Sequence, residues 1–149
     1  MSSALNLLSP TIRKLIERRG FTKLTPPQEA AIPLILKGLN VLIVAPTGTG
    51  KTEAAVIPVA DMMLNEPREL GIKVIYITPL RALNRDILER IEWWFRELRF
   101  RVAVRHGDTP PSERRLQAIY PPDVLITTPE SFQLLFLGKK LREAVKLVK

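Results

Sequence analysis

The sequence predicts an α/β fold in which a parallel sheet carries helices on both faces. Short apolar runs alternate with helical stretches from residue 41 onward, the pattern of a parallel sheet. Val41-Leu42-Ile43-Val44 is continuously apolar, as a strand covered on both faces requires. The chemically distinctive segments, at 45–52, 78–83, 106–109 and 127–131, each follow an expected strand. They therefore fall at the C-terminal ends of the strands, where ligands bind in such sheets.

Composition narrows the classes. The 149 residues suit one domain, and 46% hydrophobic with 26% charged residues are ordinary globular values. The chain has no cysteine, which excludes a disulfide scaffold, a Cys-ligated zinc site and a thiol nucleophile. One histidine, His106, excludes a multi-histidine metal site. The start lacks a signal peptide's basic region, and no apolar run approaches membrane-spanning length, so a soluble, cytoplasmic protein is expected. A net charge of +8 and a pI near 10.2 favour a polyanionic partner, nucleic acid first. The lack of cysteine, with three Gln and four Asn, leans towards a thermophile.

The elements follow in order. Ser9, Pro10 and Gly20 frame a helix over 9–19, with Ile12, Leu15 and Ile16 on its apolar face. Thr25-Pro26-Pro27-Gln28 reads as a cap, a proline-rich first turn and a capping-box glutamine for a helix over 26–37, closed by Gly38. A strand at 41–44 leads into a glycine-rich loop and a helix over 51–64, which Pro58 is expected to bend or interrupt. Residues 72–77 form the next strand, and 80–98 the longest helix, with Leu83, Ile87, Ile91, Trp94, Phe95 and Leu98 on one face. Strands at 101–105 and 123–127 flank a helix over 112–119 capped by Ser112. A helix starts over 130–136, and the basic tail from 138 to 149 is partly helical.

Ala45-Pro46-Thr47-Gly48-Thr49-Gly50-Lys51-Thr52 is a phosphate loop in its required place, after an apolar strand and before a helix. Gly48 and Gly50 let the backbone wrap a phosphate, and the amides of residues 48–52 converge on its oxygens. Lys51 is placed to neutralise the β- and γ-phosphates, and Thr52 offers a hydroxyl to Mg²⁺. The general template begins with glycine where this chain has Ala45.

Further segments accompany the loop. Gln28 lies seventeen residues before Ala45, and its amide can both donate to and accept from an adenine edge; serving only as a helix cap is the plainer alternative. Thr78-Pro79-Leu80-Arg81-Ala82-Leu83 places helix amides and Arg81 where nucleic-acid phosphates would bind. Thr127-Thr128-Pro129-Glu130-Ser131 repeats that geometry, and His106-Gly107-Asp108-Thr109 lies between, with His106 read as a turn residue. In Trp93-Trp94-Phe95, packing accounts for Trp94 and Phe95, and Trp93 is expected to be partly exposed.

Gln28, the loop 45–52, Thr78 to Leu83, Gly107-Asp108 and Thr128-Pro129-Glu130 occur in the order and spacing of superfamily-2 helicases. From about residue 8 to 137 the chain resembles the first RecA-like lobe of these enzymes, with a Q-motif region over 8–37 and phosphate-loop and nucleic-acid motifs over 41–137. Thr-Pro-Glu-Ser at 128–131 and Pro-Leu-Arg-Ala-Leu-Asn-Arg-Asp at 79–86 resemble the large helicase-related (Lhr) proteins and neighbouring archaeal DNA helicases more than DEAD-box RNA helicases. Thr11 stands where DEAD-box proteins carry an aromatic residue.

The resemblance implies an ATP-dependent helicase or translocase, unwinding duplexes in DNA repair or recombination. Its cofactors would be ATP and Mg²⁺, and its partner single-stranded or partly duplex nucleic acid, DNA rather than RNA. Gln28 would read adenine, and Ala45 to Thr52 would hold the phosphates, with Lys51 and Thr52 as the catalytic pair and Thr52 on Mg²⁺. Pro79, Arg81, Gly107, Thr128, Pro129 and Glu130 would hold the nucleic-acid backbone. No Asp-Glu-x-Asp/His sequence occurs, and a second lobe with its arginine finger is absent. An incomplete lobe, part of a longer enzyme and inactive alone, is therefore expected. Alternatives are a DEAD-box RNA helicase, another P-loop enzyme such as a kinase or transporter ATPase, and a stand-alone nucleotide- or nucleic-acid-binding module.

Overall fold

Serine, threonine and glycine at the expected punctuation points start and stop the helices of the N-terminal region. The computed structural model describes residues 3–135, 137 and 139–148, divided between two units, Met1–Pro67 and Arg68–Lys149. The first unit is helical: a 3₁₀ turn at Ala4–Leu7, then α1 (Pro10–Arg18), α2 (Pro26–Leu36) and α3 (Lys51–Leu64). The Ser9 hydroxyl accepts from the Ile12 amide at 3.4 Å, capping α1. The Ser9 amide in turn donates to Asp61 Oδ1 at 3.0 Å, which ties the start of α1 to α3. Ile12, Ile16, Ile32 and Ile57 are fully buried between these helices.

Glu29 anchors the opening turn. Its carboxylate accepts from the Ser3 hydroxyl and from the Ala4 amide, each at 2.6 Å. The Ser3 bond, and then the Ala4 bond, hold the Glu29 carboxyl below its ordinary value. Pro58 does not interrupt α3, which is continuous from Lys51 to Leu64. Pro58 itself is buried with Ala54, Val56, Ile57 and Ala60, so packing outweighs the backbone bond that proline removes.

The strand expected at 41–44 does not form. The segment has no ladder partner among the described residues, and Leu42 and Val44 are 88% and 86% exposed. An apolar run becomes a strand only when another strand pairs with it, and among the described residues none pairs with 41–44. Val41 to Val44 instead form one wall of an open groove of about 340 Å³, with Pro26, Pro27, Ala30, Ala31 and Leu34 of α2 as the other.

In the second unit a parallel sheet has the order β1-β3-β2, from β1 (Val74–Ile77), β2 (Val102–Arg105) and β3 (Val124–Thr127). Val124 pairs in register with both Val74 and Val102. β3 is buried along its whole length, as a central parallel strand must be. The long helix expected over 80–98 is two elements, a 3₁₀ turn at Leu80–Ala82 and α4 (Arg85–Arg96). Asn84 divides them, because its Oδ1 accepts from the Ile87 amide at 2.9 Å and starts α4 afresh.

Ile91, Trp94 and Phe95 form the buried face of α4, and half-buried Trp93 meets Trp94 edge to face at 4.9 Å. α5 (Pro111–Ile119) begins after Pro110 rather than at Ser112, and α6 (Pro129–Leu135) follows β3. Positions 136, 138 and 149, within the expected last helix and tail, lie outside the described residues. α7 (Lys139–Ala144) returns to the sheet, where Ile72 N–H donates to the Ala144 carbonyl at 2.8 Å. Among the described residues, no helix is long and apolar enough to cross a membrane.

Asp123 locks the N-terminal edge of the sheet. Its Oδ1 pairs with Lys73 Nζ at 2.7 Å and its Oδ2 accepts from the Arg101 amide at 2.8 Å, with both charged side chains 12% exposed. Asp123→Ala leaves Lys73 and the Arg101 amide without this partner, and is expected to cost about 3 kcal/mol. Urea unfolding followed by tryptophan fluorescence reads this directly, since both tryptophans lie in the same unit. The first unit is expected to lose stability in acid. Glu29 has a lowered carboxyl, so its contribution is present above the unfolded value of 4.5 and disappears as the pH falls through the lowered one. Glu29→Gln should remove that part of the pH dependence in circular dichroism melts.

Candidate functional site

The phosphate loop is set by two left-handed glycines and one buried amide. Gly48 has φ +81° and Gly50 φ +76°, and Gly50 is the N-cap of α3. The first-turn amides of α3 therefore open on the loop without intrahelical partners. Thr49 Oγ1 donates to the Pro46 carbonyl at 2.6 Å and tightens the turn. Lys51 Nζ reaches back to the Ala45 carbonyl at 2.5 Å, which holds the ammonium across the loop. An ammonium has three donors, so this bond leaves two for phosphate oxygens.

Gln28 joins α2 to this loop. Its Oε1 accepts from the Thr25 amide at 2.9 Å, and its Nε2 donates to the Gly50 carbonyl at 3.2 Å. The side chain is buried, and each amide atom keeps one further hydrogen-bonding position. The capping and recognition readings of Gln28 are thus compatible in one conformation. Thr25 adds a second link, because its hydroxyl donates to the Thr49 carbonyl at 2.8 Å. Sequence reasoning identified Thr25 as a cap and missed that link, since nothing in its spacing encodes a contact 24 residues away.

The other site residues belong to the second unit, at the C-terminal ends of its strands. Thr78 N–H donates to the Thr127 carbonyl at 3.0 Å, and Thr127 Oγ1 donates to the Arg105 carbonyl at 2.7 Å. These bonds lace the ends of β1, β3 and β2 together. Pro79 and Arg81 are exposed on the 3₁₀ turn, and Pro129 and Glu130 on the first turn of α6. Thr128 is different: it is buried, and its hydroxyl accepts from the Ser131 amide at 3.3 Å. It starts a helix rather than facing outward.

Gly107 is exposed in a loop that Arg114 organises. Arg114 Nε donates to the Thr109 carbonyl, and its Nη2 to the carbonyls of His106 and Gly107, at 2.9–3.1 Å. His106 is a turn residue, with Nδ1 accepting from the Asp108 amide at 3.1 Å. Arg114 was not legible as a site residue, because one arginine in a helix with Arg115 beside it reads as surface charge. Among the described residues, no cluster of His, Asp or Glu of metal-binding size occurs.

The DEAD/DEAH box helicase family model matches residues 25–149, most of the chain. The chain belongs to the DEAD/DEAH box helicase family. Its solved neighbours are RecA-like helicase domains, in agreement with the α/β fold class that the sequence predicts. Among its relatives, the ATP-dependent helicase Lhr-Core of Saccharolobus solfataricus is 43% identical over 97% of this chain and 18% of its own length. The Lhr helicase/probable uracil glycosylase of Mycolicibacterium smegmatis is 40% identical over 87% of this chain and 10% of its own. The structure of the Mycobacterium smegmatis helicase Lhr bound to ssDNA and AMP-PNP superposes with a TM-score of 0.83. It is 36% identical over 99% of this chain and 20% of that one. A hypothetical ATP-dependent RNA helicase from Sulfolobus tokodaii superposes at 0.69 with 30% identity, over 87% of this chain and 37% of that one. The chain thus spans about a fifth of the length of its Lhr-Core relative.

The two loop glycines make distinct predictions. A Cβ at Gly50 would lie 2.4 Å from Gln28 Nε2, whereas a Cβ at Gly48 meets nothing within 4 Å. Gly48→Ala should therefore cost only the left-handed backbone term, about 1–2 kcal/mol. Gly50→Ala should cost clearly more, because Gln28 must also leave the Gly50 carbonyl. Thermal unfolding of both variants by circular dichroism gives the comparison, and equal losses would contradict the Gln28 contact.

Proposed function

We propose that this chain is the nucleotide-binding part of an ATP-dependent helicase of Lhr type, acting on single-stranded or partly duplex nucleic acid, with DNA favoured. The observation that carries this reading is the buried Gln28 amide bonded to the Gly50 carbonyl, which joins the two segments that this reading assigns to adenine and to phosphate. A kinase or transporter ATPase accounts for residues 41–65 but not for Gln28 or for the laced strand ends. The ssDNA-bound Lhr neighbour supports DNA, and the net charge of +8 supports a polyanion.

In this reading the residues from Ala45 through Pro46, Thr47, Gly48, Thr49 and Gly50 wrap the phosphates, and the α3 amides donate to them. Lys51 exchanges part of its bond to Ala45 for the β- and γ-phosphates. Thr52, on the first turn of α3, would hold Mg²⁺, which when bound neutralises phosphate charge. The residues fit a nucleotide-held ion, since Mg²⁺ is bound through few protein ligands plus phosphates and water. Gln28 contributes its remaining donor and acceptor to adenine. Arg81, Gly107 and the α6 start at Pro129 and Glu130 would contact the strand's backbone, and Thr128 would orient that start from inside. No Asp-Glu-x-Asp/His sequence, the source of the carboxylates that position Mg²⁺ and orient water in such enzymes, occurs in the 149 residues.

Equilibrium binding of a fluorescent ATP analogue to the chain tests the assignment. Lys51→Ala should weaken binding by about tenfold or more, the worth of a charge-assisted phosphate contact. Gln28→Ala should erase the preference for ATP over GTP. Undiminished binding by the Lys51 variant would refute the site.

A further inference from the structure

The end of β2 carries a charge that no motif of the sequence analysis uses. Arg105 is the last residue of the strand, immediately before the His106–Thr109 loop. Its Nη1 is buried and has no hydrogen-bond partner among the described residues. No carboxylate pairs with it there. The charge that does act on it is the guanidinium of Arg114, and burial together with this neighbour lowers its pKa.

The two arginines are not equivalent. Arg114 is committed, with its donors spent on three carbonyls of the loop. Arg105 is not, although its backbone is fixed, because its carbonyl accepts from Thr127 Oγ1. A cation that is half-buried, repelled by a like charge and short of acceptors is unfavourable in isolation. An anion at its exposed side would supply the missing acceptors and offset both the burial cost and the repulsion from Arg114. Arg105 as a whole is only half-buried, so part of its side chain faces solvent although Nη1 does not.

We propose that Arg105 binds a backbone phosphate of single-stranded nucleic acid at the C-terminal end of β2, with Arg114 as the positioning residue that holds the adjoining Gly107 loop. The proposal rests on the nucleic-acid reading above and adds a contact that reading does not contain. A guanidinium suits the task, since its planar fork matches two phosphate oxygens.

The test is fluorescence anisotropy of the chain with labelled oligo(dT) across a salt series, with thermal melts alongside. Arg105→Gln should weaken binding roughly tenfold and reduce the salt slope by about 0.7, one phosphate contact on a single strand. Arg105→Lys should keep the slope. Arg105→Leu should match or exceed the parent's melting temperature, because it removes a buried unpaired charge. Wild-type affinity and slope in Arg105→Gln would overturn the proposal. So would a fall of more than roughly 5 °C in Arg105→Leu, which marks a structural residue. Inorganic phosphate supplies the remaining arm: if it stabilises the chain through Arg105 while strand affinity ignores that residue, the site takes a free anion and the nucleic-acid assignment fails. No binding of oligo(dT) by the unmodified chain would instead overturn the underlying functional reading.

Discussion

One buried amide sets the geometry on which the proposed nucleotide site depends. Gln28 accepts from the Thr25 amide at the start of α2 and donates to the Gly50 carbonyl at the start of α3. A glutamine does both at once because its side chain carries an acceptor and a donor on one rigid plane. Glutamate lacks the donor and leucine lacks both groups. The left-handed turn at Gly50 brings that carbonyl into reach, and the absence of a Cβ there makes room for Nε2. The start of α2, the loop and the start of α3 are thus fixed as a set. A purine bound beside Gln28 would meet an amide whose orientation is already determined, which lowers the ordering cost of recognition.

The second unit solves a different problem, how to present loops from the ends of short strands. Four-residue strands supply little pairing on their own. Their ends are held instead by Asp123 at one edge and by the Thr78, Thr127 and Arg105 links at the other. Arg114 then fixes the loop after β2 through three carbonyls, which leaves the neighbouring Arg105 charge available. Under the proposed function, these strand ends, with exposed Arg81, Gly107 and Glu130, would be the surface that meets a phosphodiester backbone.

Helix starts and stops were legible because their causes are local. Ser9, Thr25, Gly20 and Gly38 act within a turn of the residues they cap, and the α1, α2 and α3 boundaries follow within a residue or so. The glycine turn that opens α3 was legible for the same reason. Asn84 was read through, since an unbroken apolar spacing outweighed one capping residue in the pattern, although its hydrogen bond decides the backbone. The strand at 41–44 fails for the opposite reason: apolar character is local, but pairing depends on a partner elsewhere in sequence. Leu42 and Val44 are accordingly apolar and exposed. Lys73 with Asp123, and Arg114 with its carbonyls, span tens of residues or follow a loop's exact path, and charged residues of this kind look alike in sequence whether they are buried or solvated.

The most direct measurement is a titration of the isotopically labelled chain with Mg·ATP, following backbone and side-chain amide resonances. The account predicts that the Gln28 side-chain amide and the backbone amides of Gly48 to Thr52 shift together with one dissociation constant, and that GTP leaves the Gln28 resonances in place. Shifts confined to other residues, or a Gln28 amide indifferent to ATP while the loop responds, would contradict it.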